Sequence, residues 1–230
     1  IVAGGCGSRV KSAVIPKQFI EIGGVPVIVR TVRAFLAVEE IDMVYMGIKP
    51  DWHEYTNELF ERFGIDKERV RVIDGGADRN GTVMNIAEAI VAEHGKNDGD
   101  IILTHDAVRP FVTEKIIKDN IEAMREHSAC GTYMPAVDTI IKSDGEKVKE
   151  TLNRSELYQA QTPQTFRLGD LRRNYYSLSE EQNKKLTDTC SVFTACNEDI
   201  YLVVGDALNF KITTDSDLRM ANALAKLSEK

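Results

Sequence analysis

Short apolar runs alternate with stretches of helical periodicity through the first 135 residues, the pattern of βαβ units feeding a mostly parallel sheet. The runs Met43 to Ile48, Val70 to Ile73, Ile101 to Thr104 and Gly131 to Met134 predict strands. Val83, Ile86, Ala87, Ile90 and Val91 fall at i, i+3, i+4, i+7 and i+8, the apolar stripe of a helix lying on one sheet face. A second such helix runs from Thr113 to His127, with Ile116, Ile117, Ile121 and Met124 inward and Thr113 as its N-cap. After Ala136 the pattern changes. Thr139 to Lys142 and Lys147 to Lys149 flank the turn-forming Ser143-Asp144-Gly145-Glu146, which predicts a hairpin projecting from the sheet. A helical stretch near Leu186 to Phe193, a strand at Ile200 to Val204, a short run Asn209 to Ile212 and a closing helix complete the chain. In that last helix Leu218, Ala221, Leu224 and Ala225 form the buried stripe, and Thr214 or Asp215 is the cap. The expected fold is a doubly wound α/β domain over residues 1–230, with an arm at about 136–158 and ligands beyond the strand carboxyl ends.

Composition narrows the function classes. With 29 Lys plus Arg against 36 Asp plus Glu, the net charge of -7 argues against a nucleic-acid-wrapping surface. No apolar run approaches the roughly 20 residues of a spanning helix, so no membrane partner is expected. Ile1-Val2-Ala3 reads as the end of a strand rather than a signal peptide, with a few residues expected before it. Cys6, Cys130, Cys190 and Cys196 lack the spacing of zinc knuckles or redox pairs and read as reduced thiols of a cytoplasmic protein.

Three segments carry candidate chemistry. Gly4-Gly5-Cys6-Gly7-Ser8-Arg9 follows the first strand, and its glycines either make a plain turn or let backbone N–H groups approach a polyphosphate. It lacks the Gly-Lys-Ser/Thr of a Walker loop. Arg9 and Lys17, on the loop leaving this turn, favour the phosphate reading, because two cations can offset the charge of a triphosphate. Asp106 ends a buried strand in Thr104-His105-Asp106-Ala107-Val108-Arg109-Pro110. It is either a helix cap or a ligand for Mg²⁺, which takes one or two carboxylates beside phosphate oxygens; beside a phosphate-type loop the metal role is favoured. Arg109 is placed to meet a substrate phosphate or to form a surface ion pair. Asp74-Gly75-Gly76-Ala77-Asp78-Arg79-Asn80-Gly81-Thr82 either starts a helix or binds a base through its backbone. His105 reads as a structural imidazole, since no nucleophile accompanies it.

These segments, in this order, resemble the polyol-phosphate cytidylyltransferases, the methylerythritol 4-phosphate and ribitol 5-phosphate enzymes. Further matching stretches are Val137-Asp138-Thr139, Asn153 to Tyr158, Gln161 to Phe166, Leu186-Thr187-Asp188 and Lys211-Ile212-Thr213. The resemblance implies a nucleotidyltransferase sheet of Rossmann-like type and the reaction of CTP with a polyol phosphate to give a CDP-polyol and pyrophosphate. It implies a triphosphate site at Ala3, Gly4, Gly5 and Gly7 with Arg9, Lys17 and Lys211 as catalytic cations. Gly76 and Thr82 are then the cytosine and ribose positions, and Asp106 the Mg²⁺ ligand. Arg109, Thr139, Arg154 and Thr162 are implied to bind the polyol phosphate, in a homodimer whose arms complete each other's sites. Tyr158 where the methylerythritol branch carries Trp, and Val108 where it carries Ala, make the ribitol branch, with its link to teichoic acid, the nearer resemblance; methylerythritol 4-phosphate and isoprenoid synthesis are the alternative. A nucleotide-binding protein or glycosyltransferase on a similar sheet is the reading from another class. Lys17 and Lys211 speak against it, because a sensor has no leaving pyrophosphate to neutralise.

Overall fold

The computed structural model describes residues 1–4 and 15–228. A short hairpin, β1 (Glu21–Ile22) and β2 (Val25–Pro26), leads into α1 (Val27–Leu36), β3 (Val44–Ile48), α2 (His53–Arg62), β4 (Val70–Asp74) and α3 (Arg79–His94). β5 (Ile101–Thr104), α4 (Glu114–Ala123) and β6 (Ala129–Pro135) follow, then β7 (Ile141–Ser143) and β8 (Val148–Thr151). The chain ends through β9 (Tyr158–Arg167), α5 (Leu168–Ser177), α6 (Glu180–Asn183), α7 (Cys190–Ala195), β10 (Tyr201–Val204) and α8 (Asp215–Ser228).

Val2 joins two sheet fragments. It bridges in parallel to Gly47 of β3 on one side and to Asp106, just past β5, on the other. Its N–H donates to His105 O at 2.8 Å, and the Ala3 N–H to Gly47 O at 2.9 Å. The resulting order is β4, β3, residues 1–3, β5, β9, β6, β10. β3 pairs in parallel with β4, and β6 with β10, whereas β9 runs antiparallel to both β5 and β6. The sheet is therefore mixed, with one reversed strand among the parallel ones. Helices cover both faces, so β3 is buried throughout, as a parallel strand between two layers must be. One core gathers Val32 and Phe35 of α1, Phe60 of α2 and Ile117 of α4. A second gathers Val83 and Ile86 of α3, Leu171 of α5 and Phe193 of α7, whose ring stacks on Phe166 at 4.7 Å, and two smaller clusters lie around Ile212 and Cys130.

The four predicted strands and both early helices form, β5 with the expected bounds and the others with ends shifted by at most four residues. Thr113 caps α4, its hydroxyl accepting from Ile116 N. Of the two candidate caps for α8, Thr214 takes the role. Its Oγ1 accepts from Asp217 N while its own N–H donates to the Asp217 carboxylate, a reciprocal pair at the helix start. One expectation changes, and two stretches take forms that the pattern left open. The helix expected from Leu186 begins only at Cys190, because Ser191 Oγ takes the Thr187 and Asp188 N–H groups and holds them in a loop. Residues 209–212 form no ladder; Ile212 N–H bonds Val108 O instead. β9 is a central strand that its polar, proline-containing sequence does not announce. The predicted hairpin is β7–β8, every residue of it exposed, standing clear of both cores. Among the described residues no helix is long and apolar enough to cross a membrane, and Cys130, Cys190 and Cys196 are free thiols.

Candidate active site

A cavity of about 360 Å³ opens at the carboxyl ends of the central parallel strands, where open α/β sheets bind ligands. It is walled by Ala3 and Gly4, Lys17, the Gly76 to Thr82 turn, Asp106 and Lys211. A larger cavity of about 590 Å³ lies at the opposite, amino ends of the strands around Ile1, Val83 and Ile102, with a mainly aliphatic wall. The candidate chemistry is at the smaller one. Gly5, Gly7 and Arg9 lie outside the described residues, so the glycine turn is seen only at its start.

Asp106 is the electrostatic centre of this cavity. The carboxylate is 9% exposed; Oδ1 accepts from Arg79 Nε at 3.0 Å, and Oδ2 lies 2.9 Å from Lys211 Nζ and 3.6 Å from Arg109 Nε. Burial works against its ionised form, but Arg79 and Lys211, then Arg109, more than offset this and hold the carboxyl well below the usual carboxylate range. The helix-cap reading of Asp106 fails, since its oxygens face three cations and α4 is capped by Thr113. Nor is Arg109 a surface pair. It is 9% exposed, and its Nη1 donates to Asn209 O at 2.8 Å.

The Gly76 to Thr82 turn is built by close approach. A Cβ on Gly76 would sit 2.3 Å from the Gly81 carbonyl carbon, and one on Gly47 would sit 2.4 Å from Thr82 Cγ2. Thr82 Oγ1 accepts from Gly76 N at 2.9 Å and donates to Asp78 O at 2.8 Å, while Asp78 caps α3 by accepting from Gly81 N. The helix-start reading thus holds, and the same turn forms one wall of the cavity. Gln18 Nε2 donates to Ala3 O at 2.9 Å, which fixes the segment bearing Lys17 against the start of the glycine turn.

Thr162 is buried and bonded within the protein, beside His105. His105 is fully buried; its Nε2 faces Arg109 O, which can only accept, so Nε2 carries the proton and Nδ1 accepts from Thr162 Oγ1. The same hydroxyl accepts from Asp106 N at 3.2 Å. With its proton on His105 and its oxygen taking the Asp106 N–H, the hydroxyl braces the strand end that presents Asp106. Burial pulls the His105 imidazole down to about 3, so it stays neutral and keeps this tautomer. Thr162→Val should therefore cost about 1–3 kcal/mol of stability, the cost of leaving buried partners unpaired. Denaturant unfolding measures this, and an unchanged midpoint would return Thr162 to a role on substrate alone.

Thr139 and Arg154 are not brought to this chain's own cavity. Both are exposed on the arm, where Arg154 Nη1 donates to Val137 O at 2.6 Å. Two cations of the cavity lining have no role assigned from the sequence, Lys49 just after β3 and Arg79. The available signal for Arg79 was a cation at the first position of a helix, where the macrodipole disfavours positive charge.

Among the described residues no three acidic, His or Cys side chains cluster into a self-sufficient metal site. One hard carboxylate, Asp106, in the cavity lining fits a divalent cation that would be held jointly with a nucleotide, whose phosphate oxygens would supply further ligands. Two buried donors beside it, Arg79 Nη2 and Arg109 Nε, have no hydrogen-bond partner. Such a concentration of cations around one acid is arranged for an anionic ligand.

The chain matches the family described as 2-C-methyl-D-erythritol 4-phosphate cytidylyltransferase over residues 1–226. The Anaerococcus prevotii 4-diphosphocytidyl-2C-methyl-D-erythritol synthase is 28% identical, with a TM-score of 0.80 over 98% of this chain and 93% of that one. The Francisella tularensis 2-C-methyl-D-erythritol 4-phosphate cytidylyltransferase is 27% identical, with a TM-score of 0.80 over 96% of each chain. The Thermus thermophilus enzyme of the same name is 27% identical, with a TM-score of 0.73 over 92% of this chain and 94% of that one. The ribitol branch, nearer by residue pattern, finds no support in these matches. Fold, cavity and family match agree on a nucleotidyltransferase using CTP, and this chain belongs to the 2-C-methyl-D-erythritol 4-phosphate cytidylyltransferase family.

Proposed function

We propose that the chain transfers the cytidylyl group of CTP to 2-C-methyl-D-erythritol 4-phosphate, a step of isoprenoid synthesis. The family match across residues 1–226 is the observation that carries this reading. A substrate phosphate oxygen attacks the α-phosphorus of CTP in line, the bond to the β-phosphate oxygen breaks, and pyrophosphate leaves. Both reactants are anions, so their repulsion has to be offset first. Lys17 and Lys211, with Arg9 beyond the described residues, are assigned to the triphosphate, and Ala3, Gly4, Gly5 and Gly7 to backbone contacts with it. Gly76 and Thr82 form the wall assigned to cytosine and ribose. Asp106 would hold Mg²⁺, which when bound draws charge from the phosphates. Arg109 of the body, with Thr139 and Arg154 from a partner's arm, is assigned to the polyol phosphate.

A second reading, ribitol 5-phosphate as the acceptor, is favoured by Tyr158 and Val108, where the methylerythritol branch carries Trp and Ala. Initial rates of pyrophosphate release with the two acceptors side by side decide between them. Methylerythritol 4-phosphate is expected to be used better by at least about tenfold in kcat/KM, or about 1.4 kcal/mol of differential transition-state binding. The reverse preference would assign the ribitol reaction while leaving the cytidylyl transfer intact.

A further inference from the structure

We propose that Arg79 is a positioning residue for Asp106, setting the carboxylate in the orientation a nucleotide-bound divalent cation needs and tying it to the loop before α7. The inference rests on the cytidylyltransferase activity and adds a residue that none of the roles above uses.

The guanidinium makes two directed bonds at once. Nε donates to Asp106 Oδ1 at 3.0 Å, and Nη1 donates to Thr189 Oγ1 at 2.7 Å. Because the guanidinium is planar and rigid, holding its far end on Thr189 fixes the direction from which Nε meets the carboxylate. A carboxylate torsion is intrinsically broad, and one cation on one oxygen leaves the group free to swing. Here Arg79 holds Oδ1 while Lys211 holds Oδ2 at 2.9 Å. Each carboxylate oxygen has two lone pairs, so Oδ1, engaged by Arg79 alone, keeps an acceptor position.

The far anchor is itself braced. Thr189 N–H donates to Gln164 Oε1 at 3.1 Å, and Gln164 Nε2 donates to Asp188 Oδ2 at 2.6 Å. Asn80 Nδ2 donates to Asp188 O at 3.1 Å and its Oδ1 accepts from Thr189 Oγ1 at 3.4 Å. The sequence places this arginine where a helix repels a cation, and the fold leaves its Nη2 buried without a partner. An orientation kept against both penalties is the mark of a functional constraint. Hydrogen-bonded partners that orient a ligating carboxylate have this form in metal sites generally.

The test compares wild type with R79M, R79K and T189V. Calorimetric CTP binding with and without Mg²⁺ gives the factor by which the metal tightens the nucleotide. Steady-state rates give kcat and both KM values, and thermal unfolding checks the fold. R79M is expected to reduce the Mg²⁺ factor and kcat by about tenfold or more, the usual range for losing an outer-shell partner. KM for the polyol phosphate should stay within about twofold. R79K, which keeps a cation near Asp106 but loses the planar hold through Thr189, should recover only part of the factor, and T189V, which keeps the guanidinium but not its anchor, should also fall between R79M and wild type. An unchanged Mg²⁺ factor in R79M overturns the proposal, as does a lowered melting temperature with R79K no better than R79M. Should R79M not fold, R79K and T189V decide: wild-type factors in both overturn it. Wild-type protein that released no pyrophosphate from CTP would overturn the activity itself, and the inference with it.

Discussion

Lys211→Ala is expected to lower kcat by about 10²- to 10³-fold at saturating CTP and Mg²⁺, the scale for removing one preorganised contact to charge that develops in a transition state. The ammonium of Lys211 stands 2.9 Å from Asp106 Oδ2 and is about one-third exposed at the cavity wall, within reach of both the carboxylate and an incoming phosphate. Its removal leaves Asp106 with Arg79 and Arg109, so the carboxylate keeps its ionisation and the fold keeps its core. The loss should therefore fall on turnover, with the melting temperature little changed. A coupled pyrophosphate assay measures the first and thermal unfolding the second. Unchanged turnover would remove Lys211 from the mechanism, whereas a matching loss of stability would make it a structural counter-ion of Asp106.

The parts of this fold that were legible are those whose burial follows one simple rule. β3 and β5 are short apolar runs because helices cover both sheet faces, and α3 and α4 show a stripe because one side of each meets the sheet. β9 obeys no such rule. Its inner segment Gln161-Thr162-Pro163-Gln164-Thr165-Phe166 is buried, yet it is mostly polar and holds a proline, which argues against a central strand. What makes it tenable is that its side chains are paired: Gln164 with Asp188, Thr165 with Asn120, Thr162 with His105 and Gln161 with the Asp206 carbonyl. Pairing of this kind depends on residues tens of positions away, so nothing local announces it. The site shows the same division. Asp106 and Lys211 were found from a strand end and from resemblance, but the clamp between them depends on Arg79, 27 residues from Asp106 in sequence and 110 from Thr189. The arm was legible as a hairpin because turn chemistry is local: Asp144 accepts from the Glu146 and Lys147 N–H groups, and Gly145 takes a φ of 102°.

Mixing two inactive proteins, Lys17→Ala and Arg154→Ala, is expected to restore activity. The argument starts from the arm. β7 and β8 are wholly exposed in the single chain, and Val137, Val148 and Tyr158 present apolar side chains at 69%, 64% and 47% exposure. Thr139 and Arg154 sit on this arm, whereas Lys17 and Lys211 line the cavity. If the arm of one protomer closes the site of another, Lys17 and Arg154 act together only across the interface. In a mixed dimer one site then joins the intact body of the Arg154→Ala protomer to the intact arm of the Lys17→Ala protomer, and the other site carries both changes. With free subunit exchange at equal concentrations half the dimers are mixed and half of their sites are whole, so about one quarter of wild-type activity should return. Exchange is verified independently, by recovering an untagged protomer with a tagged one. Mixtures that stay inactive despite proven exchange would place Arg154 on its own protomer's site and would leave the exposed arm without its proposed role.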